Sequence, residues 1–379
     1  MGSVRVVVAE DVAVRSMGVS FPFHHNNHPV AVCAPEVGRT YVAYQYSSGG
    51  LSFGRKLLYY DHRAGAFSRP VDVGGRELWD DSHGAPALLI DREGLVYVFY
   101  GAHNSDLCYK RTEEPHDVAS LSEELRVPGS YTYCQAFSLG GEVLLFTRRG
   151  ASEYVLLASE DGVEWRVRSV LVRLRGEMPY AIARCERGVL YFAWSRASEL
   201  GVRDVLFMMS EDEGSTWTRS DGAPVALPAS PKGAEVVFRG PAAVHFGDLR
   251  LVEGRPTLVF TGGGYNWLAT LSDSGWELRA VTRAGTLEEM PRLVEEPDGR
   301  LKLYLNVGRT SGTNGRLVCY VSRDGGRTWE PAGTIESCGV GQVKAPYPAG
   351  RRVELLWGGS SEDPRHLVAL VRGASPRAP

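Results

Sequence analysis

Apolar and polar residues alternate with a period of two in eight short runs, at residues 4–8, 40–46, 95–100, 143–146, 190–194, 257–260, 301–305 and 353–357. That period predicts strands with one face toward a core. Turn chemistry separates the runs, as in Asp91-Arg92-Glu93-Gly94, Leu139-Gly140-Gly141-Glu142, Pro297-Asp298-Gly299-Arg300 and Asp324-Gly325-Gly326. No long stripe of helical period competes with them, so the chain is expected to be all-β.

A repeat is superimposed on this alternation. Ser-x-Asp-x-Gly-x-Thr-Trp is matched at Ser210 to Trp217 and again at Ser322 to Trp329; Ser159 to Trp165 is one residue shorter, and Ser272 to Trp276 is a worn copy. The four tryptophans stand at 165, 217, 276 and 329, at intervals of 52, 59 and 53. Glu177-Met178-Pro179-Tyr180 returns as Glu289-Met290-Pro291-Arg292, an offset of 112, or two such periods. Over 379 residues the period gives about seven units, and repeats of about this size built from four strands mark a β-propeller. The expected fold is therefore a single domain over residues 1–379, a seven-bladed β-propeller. Its ring should be closed by the strand at residues 4–8, which joins the last unit because that unit is short of a strand.

Composition removes several classes of function. With 43% hydrophobic residues and a net charge of -3, the chain is globular and gives no electrostatic reason to expect nucleic acid or an anionic membrane as partner. No apolar run approaches the roughly 18 residues of a spanning helix. The six cysteines are scattered without a CxxC pair, which argues against a disulfide framework or a thiolate zinc site and suggests buried small hydrophobes. Of 42 basic residues only five are lysine, leaving arginine, the side chain suited to bidentate carboxylate recognition, in large excess. Met1-Gly2-Ser3-Val4-Arg5 lacks the features of a secretory signal; the expectation is a cytoplasmic protein, or a secreted one if a leader has been removed, acting as a monomer or small homo-oligomer.

In a propeller the first strand of each unit lines the axis, and loops at one end of it shape a pocket. If the turn at 91–94 centres between Arg92 and Glu93, His83 falls opposite Ala102 and beside His103. In the next hairpin, turning at Gly140-Gly141, Tyr133 falls opposite Arg148 and beside Arg149. Two adjacent units thus offer two imidazoles, a phenol and a guanidinium at equivalent places. His24-His25-Asn26-Asn27-His28 can rim the same pocket; its spacing matches no standard zinc pattern, so no cofactor is required, although a structural metal is compatible with it. Tyr180, Arg196, Arg292 and Arg309 occupy corresponding ends of later units and suit either an acidic sugar or ion pairs between units.

The Ser-x-Asp-x-Gly-x-Thr-Trp motif resembles the Asp-box, or BNR, repeat of sialidase-like propellers, where it closes the hairpin between the third and fourth strands of a blade. More narrowly, Asp81-Ser82-His83 through Pro86, Asp91-x-x-Gly94 and Val98-Phe99-Tyr100-Gly101-x-His103-Asn104, followed by Pro179-Tyr180 and Trp194-Ser195-Arg196, resemble the BNR-4 propellers that include ulvan lyases and rhamnose-glucuronate lyases. The resemblance covers most of the first 220 residues. It implies a lyase that cleaves a uronate-containing acidic oligosaccharide or polysaccharide by β-elimination. By the same resemblance, His83 and Tyr133 are acid and base in an order left open, and His103 and Arg149 neutralise the uronate carboxylate; a shorter loop between His103 and Tyr133 than in that family leaves Tyr131 and Arg148 as alternatives. Arg148, Tyr131, Asn104, Tyr180, Arg196, Arg292 and His28 are then candidates for binding substrate. The rival readings are a sialidase-like glycoside hydrolase, for which Asp80, Asp81 and Glu177 are the nearest carboxylates, and a propeller that binds glycan or protein without chemistry. The Phe/Tyr-Arg-Ile-Pro opening of sialidases has no counterpart here.

Overall fold

Seven of the eight alternating runs lie wholly within strands, among them Arg39–Tyr46, Glu142–Arg149, Arg255–Gly262 and Val353–Gly358, and the run at 95–100 departs only in that its strand begins at Val96. The computed structural model describes residues 3–47, 49–75, 78–197, 204–240, 243–348 and 352–373. Among them the strands form six antiparallel sheets, and the one helical element is the single turn Leu287–Glu289.

Four of the sheets have four strands each, and a larger one has seven. The long strand Leu125–Leu139 creates the seven-stranded sheet: its first part pairs with His103–Arg111 and its remainder with Glu142–Arg149, so two hairpin systems share it. The N-terminal strand Ser3–Ala9 pairs with the last strand, Leu367–Arg372, from Ser3 opposite Arg372 onward. Charge reinforces that seam. Buried Glu354 accepts hydrogen bonds from Ser3 at 2.9 Å, Arg372 at 3.0 Å and Lys302 at 2.9 Å, and from the Tyr304 hydroxyl. Burial alone would raise its pKa, but these donors pull it down to about 2.

Each repeated Ser-x-Asp-x-Gly-x-Thr-Trp segment turns from the third strand of its sheet toward the fourth. The Ser210 hydroxyl donates to Asp212 at 2.8 Å and accepts from the Gly214 amide at 2.8 Å, while Asp212 takes the Thr216 amide at 2.8 Å and its hydroxyl at 2.6 Å. Ser322, Asp324, Gly326 and Thr328 repeat the pattern. Gly214 has φ +87, and a Cβ there would meet Leu156 at 2.4 Å, so the turn needs glycine both for its backbone and for its contact. The turn delivers Trp217 to a core shared by Phe146, Phe192 and Leu206, where it is 1% exposed. Trp217→Ala should therefore cost about 3–5 kcal/mol of stability, read as a lower midpoint in denaturant unfolding.

Five cysteines are buried, as expected of small hydrophobes; Cys338 departs from the expectation and is exposed.

Candidate functional site

The loops or strand ends at the starts of Ala31–Ala34, Ala87–Ile90, Met178–Glu186, Val244–Val252, Arg292–Glu295 and Val343–Lys344 converge, together with Tyr133 from the middle of Leu125–Leu139, on one cavity of about 320 Å³. His24, His83, Tyr133 and Tyr180 line one side, and His245, Glu288, Arg309 and Arg15 the other.

The first hairpin pairs Ala87 with Phe99 and Ile90 with Val96, one residue further along than the turn predicts. His83 therefore meets His103 itself rather than Ala102: the rings stack with centroids 4.1 Å apart and planes 12° apart. Between them lies Asp81, whose two oxygens stand 2.6 Å from Nδ1 of His83 and 2.5 Å from Nδ1 of His103. Burial disfavours the Asp81 anion, yet the His83 side chain and amide and the His103 ring overcome it and hold the carboxyl well below its usual range. An ionised carboxylate only accepts, so both Nδ1 atoms carry the proton and both Nε2 atoms are left free.

The second hairpin corrects the expected pairing. From Gln135 opposite Phe146 to Leu139 opposite Glu142 the register is the expected one, but Thr132 pairs with Arg148 and Tyr131 with Arg149. An extra residue lies between, and Tyr133 takes φ +71, a left-handed conformation that costs energy for a bulky residue and persists only when its surroundings enforce it. The Thr147 hydroxyl donates to the Tyr133 carbonyl at 2.9 Å, and the Cys134 amide donates to Asn27 at 3.0 Å. The bulge turns Tyr133 into the cavity, where its ring stacks on His24 at 5.0 Å and His83 at 5.7 Å. Arg148 lies over the same ring at 4.9 Å and over Tyr180 at 5.5 Å. It is buried, and its Nε and Nη1 have no hydrogen-bond partner among the described residues. Burial first and Tyr180 second raise the Tyr133 pKa, against Arg148 and Asn26, so the phenol stays protonated at neutral pH.

Other sequence candidates are placed elsewhere. Arg149 is held by Glu153 at 2.6 Å and does not line the cavity. Tyr131 packs in the core with Leu107 and Val127. Asn104 exchanges hydrogen bonds with Thr132 at 2.9 and 3.1 Å, outside the cavity. Arg196 is taken up by Asp204 at 3.2 Å and Glu177 at 3.6 Å. His28 and Arg292 line a second, deeper cavity. Tyr180 and Arg309 line the first, Arg309 paired with Glu288.

The 24–28 segment contributes more than a rim. The Asn26 amide donates to Nδ1 of His24 at 3.1 Å, which leaves the His24 proton on Nε2. Burial, with neighbouring His83 and Lys344, keeps that ring neutral. His245, His25, His24, His83 and His103 stack in succession, with neighbouring centroids 5.7, 4.1, 4.9 and 4.1 Å apart. His245, Glu288, Arg15, Phe21 and Gln342 also line the cavity and were not found by sequence reasoning. The nearest signal was the repeat at 177–180 and 289–292, which marks Glu288 as the neighbour of an equivalent unit end.

Comparison with known proteins agrees with this fold and this segment. The chain is 28% identical over 169 residues to "Ulvan Lyase-PL25" of Pseudoalteromonas sp. (strain PLSV), covering 38% of this chain and 33% of that protein. It is 29% identical over 159 residues to an ulvan lyase of Alteromonas sp. (strain LOR), covering 35% and 32%. The matched stretch thus spans about a third of the length of these relatives. The solved structure of a polysaccharide lyase PL25 ulvan lyase superposes with a TM-score of 0.79 at 19% identity, covering 97% of this chain and 96% of that one. The same lyase bound to -[GlcA(1-4)Rha3S]- gives 0.78. Residues 39–245 match the BNR_4 model, described as a BNR repeat-containing family member, and the chain belongs to that family.

Proposed function

We propose that the protein is a polysaccharide lyase that cleaves a uronate-containing glycan by β-elimination, at one end of a seven-bladed propeller. The observation that carries this reading is the Asp81 carboxylate shared by the Nδ1 atoms of His83 and His103, beside a protonated Tyr133 backed by Arg148. Seven blades follow if the strand Leu125–Leu139 is counted as belonging to two units and the pairing of Ser3–Ala9 with Leu367–Arg372 closes the ring.

The C5 proton of a uronate is hard to remove because negative charge develops next to an existing carboxylate. Arg148 supplies positive charge there, with the Asn26 side-chain amide and the Nε2 proton of His24 as uncharged donors, while His103, its Nδ1 proton given to Asp81, holds that carboxylate in place beside His83. Arg148, the alternative under the family resemblance, takes the part first assigned there to Arg149. Nε2 of His83, its lone pair freed by the bond from Nδ1 to Asp81, removes the C5 proton. The C5–H pair becomes the C4–C5 double bond, the C4–O4 bond breaks, and the Tyr133 phenol protonates O4. Each transfer needs its group within hydrogen-bond reach of the substrate atom. A sulfated glycan of glucuronate and rhamnose is the favoured substrate, on the strength of the ligand named for the superposed lyase.

Hydrolysis by two carboxylates is less well supported. Among the described residues Glu288 is the one carboxylate lining the cavity, and it is paired with Arg309; Asp80 is engaged by Arg15 and Ser16, and Glu177 by Arg196.

Incubation with ulvan and other uronate oligosaccharides should produce the ultraviolet absorbance of an unsaturated uronate, and His83→Ala should abolish it. Absence of that chromophore across the panel would remove the proposal. The two arginines provide a sharper check. Arg148→Met should lower kcat/KM by about 10²-fold, whereas Arg149→Met should stay within about 3-fold of wild type, because surface pairs of this kind contribute little.

A further inference from the structure

Beneath the floor of the candidate site lies the second cavity, of about 30 Å³, lined by His28, Arg184, Asp248, Arg250, Arg292 and Lys344 together with apolar and backbone groups. Four of these side chains are cations and one is a carboxylate, and all four cations are less than 9% exposed. Asp248 is committed to Arg250 at 2.7 Å, and Arg184 has Glu186 at 3.4 Å and the Tyr347 ring at 3.8 Å. Arg292 and Lys344 have no carboxylate partner among the described residues: Arg292 donates to the Val343 carbonyl at 2.8 Å and to that of Gly247, and Lys344 to those of His25 at 3.0 Å and Asn27 at 2.9 Å. His28 adds no charge of either sign; burial drives its pKa down to about 3, so the ring is neutral, and its Nε2 stands 3.1 Å from the Ala183 carbonyl.

Buried charge without a counter-charge is costly, by several kcal/mol per ion. A lysine can relieve that cost by losing its proton, but a guanidinium in practice cannot. Carbonyl oxygens satisfy the donors of Arg292 without neutralising it. A cavity of this size has room for one or two particles the size of water, too little for a sugar or a sulfate group with its oxygens. We propose that this cavity binds a small monovalent anion of chloride size, held between Arg292 and Lys344. Such an anion would also brace the candidate site, because Lys344 grips the carbonyls of His25 and Asn27 in the segment that carries His24 and His25 into the cavity above.

The test uses the full chain and needs no enzymatic activity. Thermal unfolding is followed in sodium chloride and in sodium gluconate at equal ionic strength, and crystals grown in bromide are searched for anomalous scattering. The expected result is a saturable rise of the midpoint by about 3 °C or more in chloride over gluconate, with a bromide peak between Arg292 and Lys344. Arg292→Met should lose the difference between the two salts. Equal midpoints in the two salts, or halide stabilisation without a bromide peak in this cavity, would overturn the proposal. Should Arg292→Met fail to fold, the bromide map of the wild type still decides it.

Discussion

Asp81→Asn should lower kcat about 10³-fold with little change in KM, by the tautomer logic that governs Asp-His couples. The carboxylate accepts from two Nδ1–H groups at once, at 2.6 and 2.5 Å. An amide of the same shape offers one oxygen and one NH₂, so it can accept from only one of the rings and must donate to the other. If the NH₂ faces His83, that ring has to move its proton to Nε2 and loses the lone pair the reaction needs; if it faces His103, His83 keeps its tautomer but loses the anion that stabilises its protonated form. Substrate contacts elsewhere in the cavity are untouched, which is why KM should hold. The measurement is the initial rate of unsaturated uronate formation, with the thermal midpoint as a control for folding. Activity within about 10-fold of wild type would mean that the shared carboxylate is structural.

Tyr133→Phe should reduce kcat by about 10²–10⁴-fold, the span of a lost general acid or base. The ring keeps its contacts with His24, His83 and Arg148, so the change removes the proton donor and little packing. Burial raises this phenol's pKa above its ordinary value, which suits the proposed role of acid. As the acid that protonates O4, Tyr133 works in its protonated form, which persists through the neutral range and is lost only beyond the usual tyrosine value of about 10. The wild-type rate should therefore not climb with pH as a phenolate becomes available. A profile that rises continuously into alkaline pH, and is flattened by Tyr133→Phe, would make Tyr133 the base and His83 the acid.

Much of this architecture was legible because its signals are local. Two-residue alternation marks strands wherever one face is buried, and the Ser-x-Asp-x-Gly-x-Thr-Trp turn carries its hydrogen bonds within eight residues. The His83–His103 meeting follows from one hairpin, and a one-residue error in its turn did not separate two rings large enough to stack. The second hairpin shows where local reading ends. The bulge that presents Tyr133 and exchanges Arg149 for Arg148 is imposed by Asn27 and Thr147, and nothing in the sequence of Tyr131 to Gln135 announces it. Asp81 is visible as part of the family segment but reads there only as a candidate hydrolytic carboxylate, since its bonds to two rings depend on their stacking. The far wall of the cavity, with His245, Glu288, Arg15 and Gln342, is assembled from units more than 200 residues apart in places, and no spacing rule links them. Arg292 looked equivalent to Tyr180 by repeat position, yet it reaches the deeper cavity to meet the carbonyls of Gly247 and Val343.

The most direct test of elimination is the mass of the products formed from a uronate oligosaccharide of defined length. If the C4–O4 bond breaks by β-elimination, the two fragments together weigh the same as the substrate, and the fragment from the reducing side of the broken bond carries the unsaturated uronate at its new non-reducing end. That is the expected result, and it should disappear with His83→Ala. Fragments that together weigh one water more than the substrate would mean hydrolysis, and would contradict the roles assigned here to His83 and Tyr133.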